Sequence, residues 1–596
     1  MNVIEQPNRD LLLLLGENPF YKDKKYRLNK YCLIHDYKGV KLIHNSFTRA
    51  TISITEEELE KTKDLTNIYG TIEWEYVEFL ISNYFLVLED YDEATQIDWL
   101  RTKFRKVIDD KYLKEVYDYI LYPTTTCNAR CFYCYEKPMS KMPMSIEMAE
   151  KVAQYILKKA VNKDKTILLR WFGGEPLYNV KVMRHIMSVL RNNGRNFSSS
   201  IISNGYLFSD KMVEEAKNEW NLSHAQITLD GTEEVYNKAK NYIYTNQDKV
   251  SPFMKVIDNI DRLTSNGIGV SIRMNCDMYN ADNLKELVRY LHNRFPENEK
   301  LSIYVYPIFE DDEKPRTDEE KDALFKKLWE VEDVMQECGF YEGNQGMGSH
   351  IRFHHCMVDG GNSLNIHPDG TLGLCEHYID SDILGNIEDD VYDMDIIHSW
   401  REYITDDFCK NCPIYPSCIR VTKCNDLKSC DVWFQKFRLR HSLLDLETTF
   451  DEYMAEKSGC SGKKCRVGGC DCITQRCDDY EGKNINYNQS NIMCASNETD
   501  GTCYCVSQRC EDKENWCLCV SKKEEGLKQG ECYCVSQRCD DKENWCYCIS
   551  KKEEETEHKC EGGSCTCKKE EQKQEEQKQE EPKKKSLWEK IKDIFD

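Results

Sequence analysis

The chain reads as an α/β protein built on a parallel sheet, and three observations predict that class. Apolar strand-like runs alternate with amphipathic helical stretches from about residue 115 to 310. Cysteine, 32 residues in all, is spread unevenly, with 13 before residue 450 and the rest after it. Beyond residue 455 the aliphatic residues thin out and a direct repeat begins. At 596 residues the chain exceeds what one hydrophobic core serves, so several domains are expected.

The first unit, residues 1–110, mixes short β-like runs (Tyr31–Ile34, Val40–Ile43, Ala50–Ile54) with helical pattern at Glu56–Leu65 and Glu73–Ile81. Thr55 ahead of Glu56-Glu57-Glu58 predicts a capped helix start. This is the pattern of a small winged-helix-like domain. The second unit, 115–340, shows strands at Ile120–Pro123, Thr166–Trp171, Ser199–Ser203, His224–Leu229, Gly269–Asn275 and Leu301–Pro307. Helices such as Ser145–Ala160 and Ala281–Phe295 lie between them, which predicts a parallel sheet with crossover helices, open or closed into a barrel. In such folds chemistry sits at the C-terminal ends of strands.

A third unit, 341–450, is loop-rich and cysteine-bearing and ends in a helical stretch from about Asp431 to Met454. The tail, 455–596, holds CYCVSQRCEDKENWCLCVSKKEE from Cys503 and CYCVSQRCDDKENWCYCISKKEE from Cys532. So little apolar residue cannot bury a core without metal or crosslinks, and a largely disordered tail is expected. A charged linker and a short amphipathic stripe (Leu587, Trp588, Ile591, Ile594, Phe595) close the chain.

The formal net charge of −23 argues against non-specific nucleic-acid binding. The N-terminus lacks a basic n-region, and its leucine run Leu11–Leu15 is too short for a signal or a span. A cytoplasmic, reducing location with no integral membrane association is therefore expected. There, this many cysteines point to metal ligation rather than disulfides.

Cys127-x3-Cys131-x2-Cys134 follows the strand Ile120–Pro123. Three close thiolates can hold three irons of a [4Fe–4S] cube and leave the fourth open. On spacing alone a zinc knuckle stays an alternative, although zinc calls for a fourth ligand nearby.

CNARCFYCYE resembles the signature loop of the radical S-adenosylmethionine (radical SAM) superfamily. Gly173-Gly174-Glu175-Pro176, Ser203-Asn204-Gly205, Thr228-Leu229-Asp230-Gly231 and Arg273-Met274-Asn275 resemble its later motifs, in the family's order. The resemblance implies a partial (β/α)6 barrel that binds a catalytic [4Fe–4S] cluster on Cys127, Cys131 and Cys134. It places S-adenosyl-L-methionine against Tyr133, Gly173, Gly174, Glu175, Pro176, Ser203, Asn204, Asp230, Arg273 and Asn275, with Tyr133 beside the adenine. It also implies cleavage to a 5′-deoxyadenosyl radical and a one-electron reductant such as flavodoxin or ferredoxin.

Downstream, the cysteines are similar to the SPASM extension of peptide-modifying members. That similarity assigns Cys409, Cys412, Cys418 and Cys430 to an outer auxiliary cluster and Cys356, Cys375 and Cys424 to an inner one. The spacing before Cys424 departs from the family's. The inner set lacks an obvious fourth thiolate, for which Cys338 is one candidate and an open iron another. A zinc ribbon on Cys409, Cys412, Cys424 and Cys430 is the alternative.

Glu376 stands where sulfatase-maturing members carry a catalytic aspartate. It is either a base or a solvent-facing turn residue. The change leans toward a peptide maturase that forms thioether or other crosslinks, with a sulfatase-maturing enzyme as alternative. An iron–sulfur electron carrier or metal store is the rival class. The N-terminal unit resembles leader-peptide recognition modules, which bind by strand addition, although an unrelated capping domain fits the same pattern. Residues 460–567 read as a metal store, as a built-in peptide substrate with Cys510 and Cys539 beside acidic residues, or as an inert extension.

Overall fold

The computed structural model describes residues 1–21, 24–63, 74–136, 140–243, 250–296, 298–308, 316–340, 351–377, 381–424 and 432–457, with four three-residue strands in the tail. In those strands Cys494–Ser496 pairs antiparallel with Cys503–Cys505, and Cys517–Cys519 pairs parallel with Cys546–Cys548. The rest of the repeat region, and Cys430, lie outside the described residues.

The N-terminal unit holds β1 (Asn2–Glu5), β2 (Tyr26–Leu28), β3 (Cys32–Tyr37), β4 (Val40–Asn45), β5 (Ala50–Ile54) and β6 (Leu86–Leu88). Its helices are α1 (Arg9–Leu15), α2 (Glu56–Lys63), α3 (Trp74–Ser82) and α4 (Glu93–Lys111). Strands order as β1-β5-β4-β3, all antiparallel, and β2 pairs with β6. The start of α2 is boxed as its sequence predicts. The Thr55 hydroxyl accepts from the Glu58 amide at 3.2 Å, and the Glu58 carboxylate accepts from the Thr55 amide at 2.7 Å.

Strand alternation gives this sheet two apolar faces. Ile34, Ile43 and Ile52 pack with Val77, Leu80 and Ile81 of α3. Leu33 and Leu42 pack on Leu439, Leu443 and Phe450 of the helix Val432–Lys457. His35 to Glu447 (2.7 Å) and Tyr37 to Asp451 (3.0 Å) pin that helix in place.

The second unit supplies β7 (Asp118–Thr124), β8 (Ile167–Gly173), β9 (Phe197–Ser203), β10 (Leu222–Thr228), β11 (Gly269–Cys276) and β12 (Leu301–Pro307). Between them run α5 (Ile146–Lys159), α6 (Val180–Asn192), α7 (Asp210–Asn218), α8 (Glu233–Lys240), α9 (Pro252–Ser265), α10 (Ala281–Arg294) and, after β12, α11 (Asp318–Glu337). Each strand pairs parallel with the next, as a partial (β/α)6 barrel requires. The large core lies between these strands and their helices, on residues such as Trp171, Ile186, Ile227 and Leu287.

After α12 (Met357–Gly360), β13 (Ser363–Ile366) extends the sheet by pairing parallel with β7. β14 (Thr371–Gly373) and β15 (Gly385–Asn386) follow antiparallel. The cysteine-rich unit therefore grows directly from the edge of the barrel sheet. No helix among the described residues is long and apolar enough to cross a membrane.

Candidate active site

The sequence motifs meet at the C-terminal edge of β7–β11. The cysteine loop leaves β7 at Thr124 and is held from below by the turn after β8. The amides of Gly174 and Glu175 donate to the carbonyls of Thr124 (3.1 Å) and Thr126 (3.0 Å). Gly173 has φ +109°, and a Cβ there would lie 2.5 Å from the Thr124 oxygen. A Cβ on Gly174 would lie 2.6 Å from the carbonyl oxygens of both Thr125 and Thr126. The glycines are thus needed for close approach of the chain's own cysteine loop.

Glu175 is fully buried, and burial raises its carboxyl to about 7 against the pull of its donors. Its oxygens accept from the Ser203 hydroxyl (2.9 and 3.1 Å), the Asn204 amide (2.9 Å) and the Leu177 amide (3.2 Å). Pro176 opens the short 3₁₀ turn that follows. The motifs after β8 and β9 are one hydrogen-bonded unit.

Asn204 joins that unit to the cysteines. Its Nδ2 donates to Asn128 Oδ1 at 2.7 Å and lies 3.8 Å from Cys127 Sγ. Cys127, Cys131 and Cys134 are each partly buried. Burial, then the nearby Glu175 charge, pushes the Cys127 thiol up to about 12, and Cys131 and Cys134 add to the rise. The three therefore sit close enough to feel one another. Asn128 Nδ2 is buried with no hydrogen-bond partner among the described residues, an orphan donor beside Cys127. Three thiols of one loop with such a donor fit a cluster that carries thiolate and sulfide acceptors. Among the described residues no three His, Cys, Asp or Glu side chains converge as a single metal ion requires.

Tyr133 is tied to the end of β10. Its phenol donates to Asp230 Oδ2 at 2.5 Å and accepts from Lys240 Nζ at 2.7 Å. Asp230 Oδ1 accepts from Asn275 Nδ2 at 2.9 Å, and Asn275 Oδ1 accepts from Arg273 Nε at 2.9 Å. Lys240, 2% exposed, was not singled out by its sequence position. A lysine at the end of an amphipathic helix normally points to solvent, and nothing local marks this one.

Of the downstream cysteines, Cys356, Cys375 and Cys424 lie near enough to act on one another's charge, although not at the spacing of ligands to a single ion. Burial pushes the Cys356 thiol up to about 12 and the Cys375 thiol higher still, and Cys424 raises both. Burial raises the Cys338 thiol at the end of α11, Arg289 lowers it and Glu337 raises it, and none of those three cysteines is among the groups that shift it. The Cys409–Cys412 turn closes with the Cys412 amide on the Cys409 carbonyl (2.9 Å). Cys418 lies with Cys412 in one apolar cluster.

Glu376 follows Cys375 at half-exposure. Its backbone carbonyl lies 3.5 Å from the Tyr122 hydroxyl at the base of the barrel mouth. Beside it His377 stacks on Tyr135, centroids 4.7 Å apart, so the segment after Cys134 touches the segment after Cys375.

With this geometry in view, residues 121–292 match the family model described as the radical SAM superfamily. The chain carries a radical SAM domain. That match implies a [4Fe–4S] cluster and S-adenosylmethionine as cofactors. It is 26% identical over 275 residues to an uncharacterized protein of Methanocaldococcus jannaschii, covering 45% of this chain and 88% of that one. It is 22% identical over 475 residues to the radical SAM cyclopropyl synthase TigE of Paramaledivibacter caminithermalis, covering 69% and 89%. Among solved structures, anSMEcpe with bound AdoMet aligns at 17% identity over 57% of this chain and 97% of that one, with a TM-score of 0.41. Streptococcus suis SuiB bound to S-adenosylmethionine aligns at 14% identity over 68% and 97%, with a TM-score of 0.40.

Proposed function

We propose that the protein is a SPASM-type radical SAM maturase that crosslinks a cysteine-rich peptide. Cys127, Cys131 and Cys134 hold the catalytic cluster in this reading. Cys356, Cys375 and Cys424 hold an inner auxiliary cluster, and Cys409, Cys412, Cys418 and Cys430 an outer one. The observation that carries the reading is the meeting of Cys356, Cys375 and Cys424 beside the cysteine loop, through the Tyr135–His377 stack. An electron carrier has no need of the buried Glu175–Ser203–Asn204 unit that a bound cosubstrate would rest upon. The match to a cyclopropyl synthase spans 69% of the chain, more than the barrel alone, and favours carbon–carbon bond formation beside thioether formation.

When bound, the cluster and S-adenosylmethionine supply the radical that removes a hydrogen atom from the substrate. The chain's own residues orient and hold. Asn204 fixes the first cysteine through its contacts to Asn128 and Cys127 Sγ. The turn Gly173–Pro176 presents backbone groups to the methionine amino group, and Tyr133 lies beside the adenine. Asp230, Arg273 and Asn275 form the linked polar end of β10 and β11. Glu376 accepts the proton released from the substrate. The N-terminal unit takes the peptide's leader by strand addition to its sheet.

The test is a reconstituted enzyme under flavodoxin or ferredoxin reduction, with a synthetic peptide spanning one repeat of the tail as substrate. Production of 5′-deoxyadenosine with loss of two hydrogens per crosslink, read by mass, is expected. Absence of 5′-deoxyadenosine from enzyme carrying its full iron complement overturns the reading. Intact-mass measurement of the enzyme itself reads whether its own tail is modified.

A further inference from the structure

The end of helix α8 grips the cysteine loop at two levels. At the backbone, the Arg130 amide donates to the Lys240 carbonyl (2.8 Å) and the Ile243 amide donates to the Asn128 carbonyl (2.9 Å). Asn241 makes the bend between those two contacts possible by taking the left-handed conformation, φ 44°. At the side chain, the Lys240 ammonium reaches Thr228 Oγ1 (2.6 Å), Tyr133 Oη (2.7 Å) and Asp230 Oδ2 (2.9 Å). An ammonium has three N–H donors and no acceptor, and all three are used here. The Cys131 thiol also lies 4.0 Å from the Lys240 carbonyl.

Both charged partners are about 2% exposed, so the pair is removed from water. Such a pair costs desolvation and is weak evidence for stability by itself. It does impose geometry: the cation sits at the C-terminal end of α8, where the helix dipole favours it, and its three acceptors come from the cysteine loop and the end of β10. Tyr133, directly ahead of Cys134, is 107 residues from Lys240 in sequence.

We propose that Lys240 is a positioning residue that sets the Cys127–Cys134 loop in its cluster-holding shape before iron arrives, through the Tyr133 phenol on one side and the backbone clasp at Arg130 on the other. The inference rests on the reading of that loop as the cluster cradle. Its first test uses the iron-free chain, so it fails or stands separately from that reading.

Amide hydrogen exchange is measured on iron-free full-length protein, wild type and Lys240→Met. Exchange of the segment 127–136 is expected to quicken at least tenfold in the variant, with strands 167–173 and 197–203 unchanged. Equal exchange in the two proteins overturns the proposal, and so does general loosening of both regions. Should Lys240→Met fail to fold because it strands the Asp230 charge, Asp230→Asn/Lys240→Met removes that charge and is read by hydrogen exchange alone. After reconstitution, the electron paramagnetic resonance signal of the reduced cluster is recorded with and without S-adenosylmethionine. The change in signal on adding the cosubstrate is expected to be lost or halved in the variant. A wild-type response overturns the proposal, because a merely structural lysine would leave it intact.

Discussion

The Ser203 hydroxyl bridges both carboxylate oxygens of Glu175, at 2.9 and 3.1 Å, and so fastens the end of β9 to the turn after β8. Ser203→Ala removes that bridge and leaves Glu175 with backbone donors alone. At pH 8, where Glu175 is ionised, a loss of about 1.5–3 kcal/mol is expected, the range for a hydrogen bond to a charged group. Urea unfolding of the iron-free protein checks it.

Glu175 and Glu136 are both raised to about 7 by burial, from an ordinary 4.5. Between those values the unfolded chain has lost these protons and the folded chain keeps them, so folding is favoured by low pH in this window. Stability contributed by the pair is expected to be fully present below pH 4.5 and to fall as pH rises toward 7, flattening above it. The drop is of order a few kcal/mol per group. Denaturant midpoints at pH 5, 6, 7 and 8 test the sign, and Glu136→Gln should shallow the slope.

Gly174→Ala puts a methyl group against two backbone carbonyls that have nowhere to go. The cysteine loop must lift from β8. Purified Gly174→Ala is expected to lack about four iron atoms per chain relative to wild type, the content of one cube. Iron analysis and visible absorbance measure this.

Cys424→Ala and Cys338→Ala separate two assignments for the inner auxiliary site. The first should remove one cluster's worth of iron and its spectroscopic signal. The second should leave both unchanged, since Cys356, Cys375 and Cys424 are not among the groups that shift the Cys338 thiol.

Arg101 of α4, 6% exposed, donates to the carbonyls of Arg352 (3.1 Å), Tyr415 (2.8 Å), Pro416 (2.9 Å) and Cys418 (3.1 Å). Arg101→Met strands the Arg352 and Cys418 carbonyls, while Pro416 and Tyr415 keep the Arg352 and Cys418 amides. A loss of about 3 kcal/mol or more is expected from unsatisfied buried groups, read as a lower thermal midpoint together with faster exchange in 409–418.

Much of this was legible in the sequence wherever the cause was local. Strand β12 runs Leu301–Pro307 as its apolar alternation predicts, and α5 starts after Ser145 because that hydroxyl caps the Met148 amide at 3.1 Å. The strand expected at Thr166–Trp171 instead continues to Gly173, where the positive φ ends it. Contacts across long stretches of chain were not legible. Arg101 meets Tyr415 over 314 residues and Lys240 meets Tyr133 over 107, and neither pairing leaves a periodicity or a spacing. The glycines of the turn after β8 were visible as glycines, but the sequence could not say whose backbone they admit.

The helix Val432–Lys457 has a consequence for synthesis. The four-stranded N-terminal sheet has all its strands by Ile54, yet Leu33 and Leu42 are covered by side chains that begin at Leu439. At about 5–20 residues per second, the ribosome exposes that greasy face for roughly 20–80 s before its cover emerges. A sheet made early is among the last parts to be finished. Until that cover arrives, the bare face is open to any other apolar surface it meets.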